Sequence, residues 1–346
     1  MTKLLVSTML TAVAIAACDG AANNLADSIH NPLAPSPASL ADCRTISHEM
    51  GETQICGQPQ KIAVLSPNLL ELLLALERQP VGVGDYFEFH HAHYNNPSQQ
   101  IPYLGNRIIT QPANVGQSFT PSIEALLKLK PDLILGSEFN KAQYETLSQL
   151  APTLLFDWFD TQTNLRAVAR AIGRPEKAEE LIAQIQQQIA IAREEFAPIV
   201  AAHPKILMLD AMQLSEISVI SNPDSCGSLI EDLGFQPVYP PGWDASKLNR
   251  STAISLETLP QLNNADSIIL FGRNTSEFDQ LRGMDNFEQH QLSRLKQGWE
   301  ENAIAQSLEA SKAGRVYFIP TYLCRGLPGP IGAELYLNEL KQQLLW

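Results

Sequence analysis

Two segments of the chain repeat one plan. SIEALLKLKPDLIL begins at Ser122 and SLETLPQLNNADSIIL at Ser255. Each runs from a serine through an apolar residue and a glutamate into leucines at helical spacing, then reaches an aspartate and a short apolar strand. The copies lie about 130 residues apart, far beyond the ~20–50-residue period of solenoids and propellers. Such a distance points to two related lobes, and 346 residues suffice for two lobes of ordinary size, each with its own core.

The text between and around the copies alternates in the α/β manner. IAVLS (62–66), PVGVG (80–84), IPYLG (101–105), LILG (133–136) and TLLFDW (153–158) read as strands, and Asn68–Glu77 as a leucine-rich helix. Short apolar runs separated by helices imply a parallel sheet covered on both faces. Pro175 then suits the first turn of a helix. Ala178, Leu181, Ile182, Ile185, Ile189, Ala192 and Phe196 follow at spacings of three and four, so Glu176–Phe196 predicts one amphipathic helix roughly 30 Å long. Strands resume at KILML (205–209), SIILFG (267–272) and RVYFIP (315–320), with helices at GSLIEDLGF and at the closing GPIGAELYLNELKQQLLW. The expected fold is α/β: two Rossmann-like lobes with parallel sheets, joined by one long interlobe helix. The expected boundaries are 43–174 for the N-terminal lobe with a leading β-hairpin, 175–203 for the connecting helix and 204–346 for the C-terminal lobe.

The N-terminus bears on the compartment. MTKLLVSTMLTAVAIAAC has one early lysine, an apolar run too short to span a bilayer, and small residues before Cys18, which reads as a signal peptide over residues 1–17. Ile15-Ala16-Ala17-Cys18 resembles the lipobox of bacterial lipoproteins, whose cysteine is lipidated after cleavage; an ordinary secretory signal with a chance cysteine is the other reading. Residues 18–42, rich in Ala, Asn, Pro and Ser, form a flexible tether. The folded part is thus expected in the periplasm or on the extracytoplasmic face, lipid-anchored to the cell membrane, where disulfides are permitted. Five cysteines divide as one anchor plus two pairs. Cys43 and Cys56 flank CRTISHEMGETQIC, two short strands around a Met-Gly turn. Cys226 and Cys324 pair by elimination, unless they are two buried, inert thiols. The net charge of −13 argues against a nucleic-acid partner, which needs a basic face, but permits a local basic pocket.

The lipobox, the two lobes, the single connecting helix and the E-x-L-x-x-L-K-P-D-L-I segment at 124–134 together resemble the substrate-binding proteins of ABC importers for ferric siderophores, ferric dicitrate, cobalamin and haem. CRTISHEMGETQIC followed by PQKIAVLS is particularly similar to the iron-siderophore members, a helical-backbone (class III) group of periplasmic binding proteins. The resemblance implies a monomer that captures a ferric siderophore or ferric citrate in an interlobe cleft. It implies delivery to a membrane permease with a cytoplasmic ATPase, no catalysis, and no cofactor, the iron travelling inside the ligand. It also implies that one acidic residue on each lobe, Glu124 and Glu257, docks on the permease. The plain alternative for these two is a carboxylate favoured by the helix dipole after a capping serine. A stiff helix between lobes predicts limited closure.

Ligands collect beyond the carboxyl ends of strands in open parallel sheets. Three arginines meet that test: Arg107 after IPYLG, Arg273 after SIILFG and Arg325 past RVYFIP. Guanidinium offers a permanent charge and a fork of donors suited to carboxylates and hydroxamates; a surface or interlobe ion pair is the other reading for each. Arg107 also stands where the resemblance implies a ligand-binding arginine. Tyr86, Phe87, Phe139, Trp158 and Tyr322 fall at similar strand ends, and Trp243 in a loop that would cover the cleft, all to pack against apolar or aromatic parts of a ligand unless they belong to the core. His90, His91 and His93 could hold a metal directly, hydrogen-bond a ligand or face water. A direct metal- or haem-binding importer component is therefore an alternative. A lipid-anchored hydrolase is a remoter one, since the chain has no G-x-S-x-G, no P-loop and no G-x-G-x-x-G after its first strand.

Overall fold

The computed structural model describes residues 42–85, 93–220, 225–244, 251–276 and 286–345. The expected signal peptide, the tether up to residue 41 with Cys18, and Tyr86, Phe87, His90 and His91 lie outside the described residues. β1 (Cys43–His48) and β2 (Gly51–Cys56) form an antiparallel hairpin whose register sets Cys43 opposite Cys56, and the two are disulfide-bonded. The hairpin turns Ile46 and Ile55 into the core.

The N-terminal half continues with β3 (Ile62–Val64), α1 (Pro67–Ala75), β4 (Gly82–Asp85), α2 (Pro97–Gln100), β5 (Ala113–Gln117), β6 (Thr120–Pro121), α3 (Ile123–Leu129), β7 (Leu133–Ser137), α4 (Tyr144–Leu150), β8 (Thr153–Phe156) and α5 (Thr161–Ala171). Its sheet has the order β6-β5-β4-β3-β7-β8, parallel except for β6 at the edge. β3, β4, β7 and β8 are buried along their whole length, as strands of a sheet covered on two faces must be. IPYLG is not the strand its composition suggests. Tyr103 adopts φ 57°, a left-handed conformation incompatible with an extended chain, and the segment coils into turns ending in a 3-10 turn at Gly105–Arg107. The strand lies further on, at Ala113–Gln117.

α6 (Pro175–Ala202) is 28 residues and roughly 42 Å long, continuing beyond the expected Phe196 and through Pro198. The C-terminal half then runs β9 (Lys205–Ala211), β10 (Ile217–Ile220), α7 (Ser225–Asp232), β11 (Gln236–Pro237), β12 (Ser251–Ala253), β13 (Ser267–Gly272), α8 (Phe287–Glu301), α9 (Ala303–Ser307), α10 (Glu309–Lys312), β14 (Val316–Pro320) and α11 (Pro330–Leu344). Its sheet has the order β12-β10-β9-β13-β14, with β11 alongside the start of β9. β9, β13 and β14 are parallel, while β10 runs antiparallel to both β9 and β12. Cys226 and Cys324 are bonded across this half.

The repeated plan folds in two ways. In the first copy Ser122 caps α3 by accepting from the Ala125 N–H. In the second, Leu256–Leu262 is a 3-10 helix. Pro260 stands where the first copy has Leu127, and its missing N–H removes an α-helical bond from the middle of the segment.

Two helices serve both halves. α6 sends Ala178 and Ile182 into the N-terminal core and Ala192 and Phe196 into the C-terminal one, and α11 contributes Ile331 to the first and Tyr336, Leu337 and Leu340 to the second. A buried carboxylate ties the halves as well. Glu71 on α1 is fully buried and accepts from the Gly329 N–H at 2.8 Å and the Gly332 N–H at 2.6 Å, at the amino end of α11. Both positions leave little room for a side chain. A Cβ on Gly329 would lie 2.9 Å from Glu71 Oε2, and one on Gly332 would overlap the Leu327 carbonyl.

Candidate functional site

A cleft opens where the carboxyl ends of the two sheets face each other. On the C-terminal side, β9 carries Asp210 one residue before its end, β13 delivers Arg273 one residue past its last, and the turn after β14 carries Thr321, Tyr322 and Arg325. Arg273 Nη1 and Arg325 Nη1 both donate to Asp210 Oδ2 at 2.8 Å, and Thr321 Oγ1 donates to Asp210 Oδ1 at 3.1 Å. The Asp210 side chain is 3% exposed, against 44% for Arg273 and 16% for Arg325. The carboxylate is therefore the buried anchor, and Arg273 is the guanidinium that reaches solvent.

The N-terminal side is aromatic. Phe119, from the β5–β6 turn, sits edge-on to Phe139 at 4.9 Å between ring centroids, and Trp158 lies 5.9 Å from Phe139 and 6.2 Å from Phe119. These rings and Phe159 face the two arginines, Thr275, Gln291 and Tyr322 across a hollow of about 180 Å³. Trp158 also spans the cleft floor, its Nε1 donating to the Arg325 carbonyl at 2.7 Å. Tyr322 leans on Tyr103 and Phe287 beneath the hollow.

Arg273, Arg325, Tyr322, Phe139 and Trp158 thus meet in one place. Arg107 does not join them. Because IPYLG is not a strand, Arg107 precedes β5 and lies at the amino edge of the sheet, where it pairs with Glu334 of α11 at 3.7 Å and borders a separate hollow with Lys177 and Gln184. The interlobe ion pair is the reading the structure supports. Trp243 also stands elsewhere. Its N–H donates to the Pro240 carbonyl, a tight turn that lays the indole on the core behind β9 and β10. His93 is exposed and forms a lone bridge with Ala113. Glu124 and Glu257 are exposed in the first turns of their helices, Glu124 pairing with Lys128 at 2.7 Å. Asp210 and Phe119 escaped the sequence reading. Asp210 follows KILML at a strand end and was discoverable by the same rule that found the arginines, while Phe119 was hidden by the misplaced strand.

A second buried carboxyl sits at the rim. Asp85 ends β4, is 7% exposed, and accepts from Asn114 Nδ2 at 2.6 Å. Burial pushes it up to about 8, against the downward pull of that hydrogen bond. A folded-state value above the unfolded one means stability present below pH ~4 and lost as pH rises through about 8. Asp85→Asn keeps an oxygen for Asn114 and cannot ionise, so its melting temperature should fall less than the wild type's between pH 5 and pH 9. Parallel declines would show that Asp85 is not the titrating group.

Comparison with known proteins gives the setting. Bacillus subtilis YhfQ, named as an ABC transporter substrate-binding lipoprotein, is 23% identical over 99% of this chain and 98% of its own. The Fe(3+)-citrate-binding protein YfmC of Bacillus subtilis is 23% identical over 80% of this chain and 78% of its own. The crystal structure of Staphylococcus aureus SirA complexed with staphyloferrin B superposes with a TM-score of 0.69 at 23% identity, covering 87% of this chain and 98% of that one. The match to the periplasmic binding protein family spans residues 62–323, from β3 through the turn that carries Tyr322, and the chain belongs to that family.

Proposed function

We propose that this chain is the substrate-binding component of an ABC importer, and that it captures a ferric siderophore or ferric citrate complex between its halves. The observation that carries the reading is the two-sided cleft: guanidinium donors on one wall suit the oxygen-rich shell of such a complex, and aromatic rings on the other suit its apolar parts. Relatives named for ferric citrate, ferric enterobactin and iron(3+)-hydroxamate support the same class. Capture is reversible and non-covalent, and the iron arrives already coordinated by its chelator. In this reading Cys18 takes a lipid that holds the protein at the membrane, and Glu124 and Glu257 engage the permease. Their exposure leaves both carboxylates accessible for docking.

Tryptophan-fluorescence titration tests the reading, because Trp158 lines the cleft. Ferric dicitrate, ferric hydroxamates, ferric catecholates, haem and Fe3+ alone form the panel. Arg273→Gln and Arg325→Gln are each expected to weaken binding of an anionic ferric complex by roughly 10–100-fold, the worth of one charge-assisted contact. Arg107→Gln should leave affinity unchanged. Wild-type affinity in both cleft variants would overturn the assignment of the site.

A further inference from the structure

The arginine wall is built around a negative charge. Two guanidinium groups converge on Oδ2 of one aspartate, and the Thr321 hydroxyl occupies Oδ1. Ionic contacts hold each guanidinium where it stands, and the aspartate is itself fixed within strand β9. The charge is altered as much as the geometry. Arg273 and Arg325 are the charged side chains among the described residues lining the hollow, and with Asp210 beneath them the cluster carries one net positive charge instead of two. A cleft made for a polycarboxylate would gain from each uncompensated arginine. This one offsets half of its positive charge and faces the remainder with rings.

We infer that Asp210 is the positioning and charge-setting residue of the cleft, and that the cleft selects a ferric complex of low negative charge with an aromatic or apolar flank over a highly charged polycarboxylate. This rests on the proposed function and narrows its ligand class. Unit charges a few ångströms apart near a protein surface interact strongly enough to change affinity by about tenfold or more. Loss of the Asp210 charge should therefore favour the more negative of two chemically matched ligands.

The experiment titrates wild type and Asp210→Asn with three probes: a singly negative ferric bis-catecholate, a triply negative ferric tris-catecholate and ferric dicitrate. Wild type is expected to bind the bis-catecholate more tightly than ferric dicitrate. Asp210→Asn should shift the tris-to-bis affinity ratio toward the tris complex by about tenfold, and the shift should shrink in high salt. A merely structural aspartate would weaken all three probes alike, so a folded variant with an unchanged ratio overturns its charge-setting role. Tighter wild-type binding of ferric dicitrate overturns the ligand class, and does so even where Asp210→Asn fails to fold. Wild type that binds no ferric complex overturns the proposed function itself, and this inference with it.

Discussion

Replacing both Cys226 and Cys324 with alanine is expected to destabilise the protein by about 4.7 kcal/mol, the loop-closure value for a segment of this length. The bridge spans 98 residues, a segment that contains β11, β12, β13 and β14 and so most of the C-terminal sheet. The hairpin bridge between Cys43 and Cys56 spans 13 and is expected to contribute only about 3 kcal/mol. Urea unfolding of the two double variants measures the difference, and a long-bridge variant no less stable than the hairpin variant would contradict the argument. The long bridge has a second effect. Cys324 precedes Arg325 and lies two residues past Tyr322, so the bond to α7 fixes the turn that supplies the cleft with both. Under reducing conditions the protein should lose ligand affinity along with stability, whereas opening the hairpin should affect stability alone.

Glu71→Ala is expected to cost about 2–6 kcal/mol, from two buried donors left unsatisfied at about 1–3 kcal/mol each. The substitution leaves the Gly329 and Gly332 N–H groups at the start of α11 buried without an acceptor, and opens a void where the carboxylate stood. Burial raises the Glu71 carboxyl to about 7, while the backbone N–H groups and the nearby Arg107 pull it down from a still higher position. The sign follows. Its folded value lies above the unfolded ~4.5, so its contribution is full below that pH and declines as pH rises through about 7. Glu71→Gln retains an oxygen acceptor without a titration and should lack this decline. Thermal unfolding at pH 5 and pH 8 separates the variants, and a wild type and Glu71→Gln of equal pH slope would remove Glu71 from the account. The location explains why the loss matters. α1 belongs to the N-terminal half, while α11 packs on the cores of both, so the contact ties one half to the other.

Local rules carried most of the fold. The stripe at spacings of three and four marked α6, apolar runs marked β3, β7 and β13, and Ser122 announced the cap of α3. The hairpin disulfide joins the two cysteines that flank the expected pair of short strands. The second repeat shows the limit of such rules, since Pro260 turned an expected α-helix into a 3-10 helix. Antiparallel β10 and β12 lie outside the expected strands, because segments of four and three residues are too short to show a period.

The site divides along the same line. Arg273, Arg325, Tyr322, Phe139 and Trp158 were visible as residues at strand ends, a property of chain order alone. Arg107 stands apart from the cleft because one left-handed residue, Tyr103, makes a turn of a segment whose composition suits a strand, and the arginine pairs with Glu334 instead. The convergence of two arginines and Thr321 on Asp210, and of Gly329 and Gly332 on Glu71, joins segments 63 to 261 positions apart. The amino-acid order by itself determined the elements, the long helix and the candidates, because each depends on neighbours within a few residues. Tertiary structure alone decided which charges meet, because the energy of burying a carboxylate is set by whatever donors the distant chain brings against it.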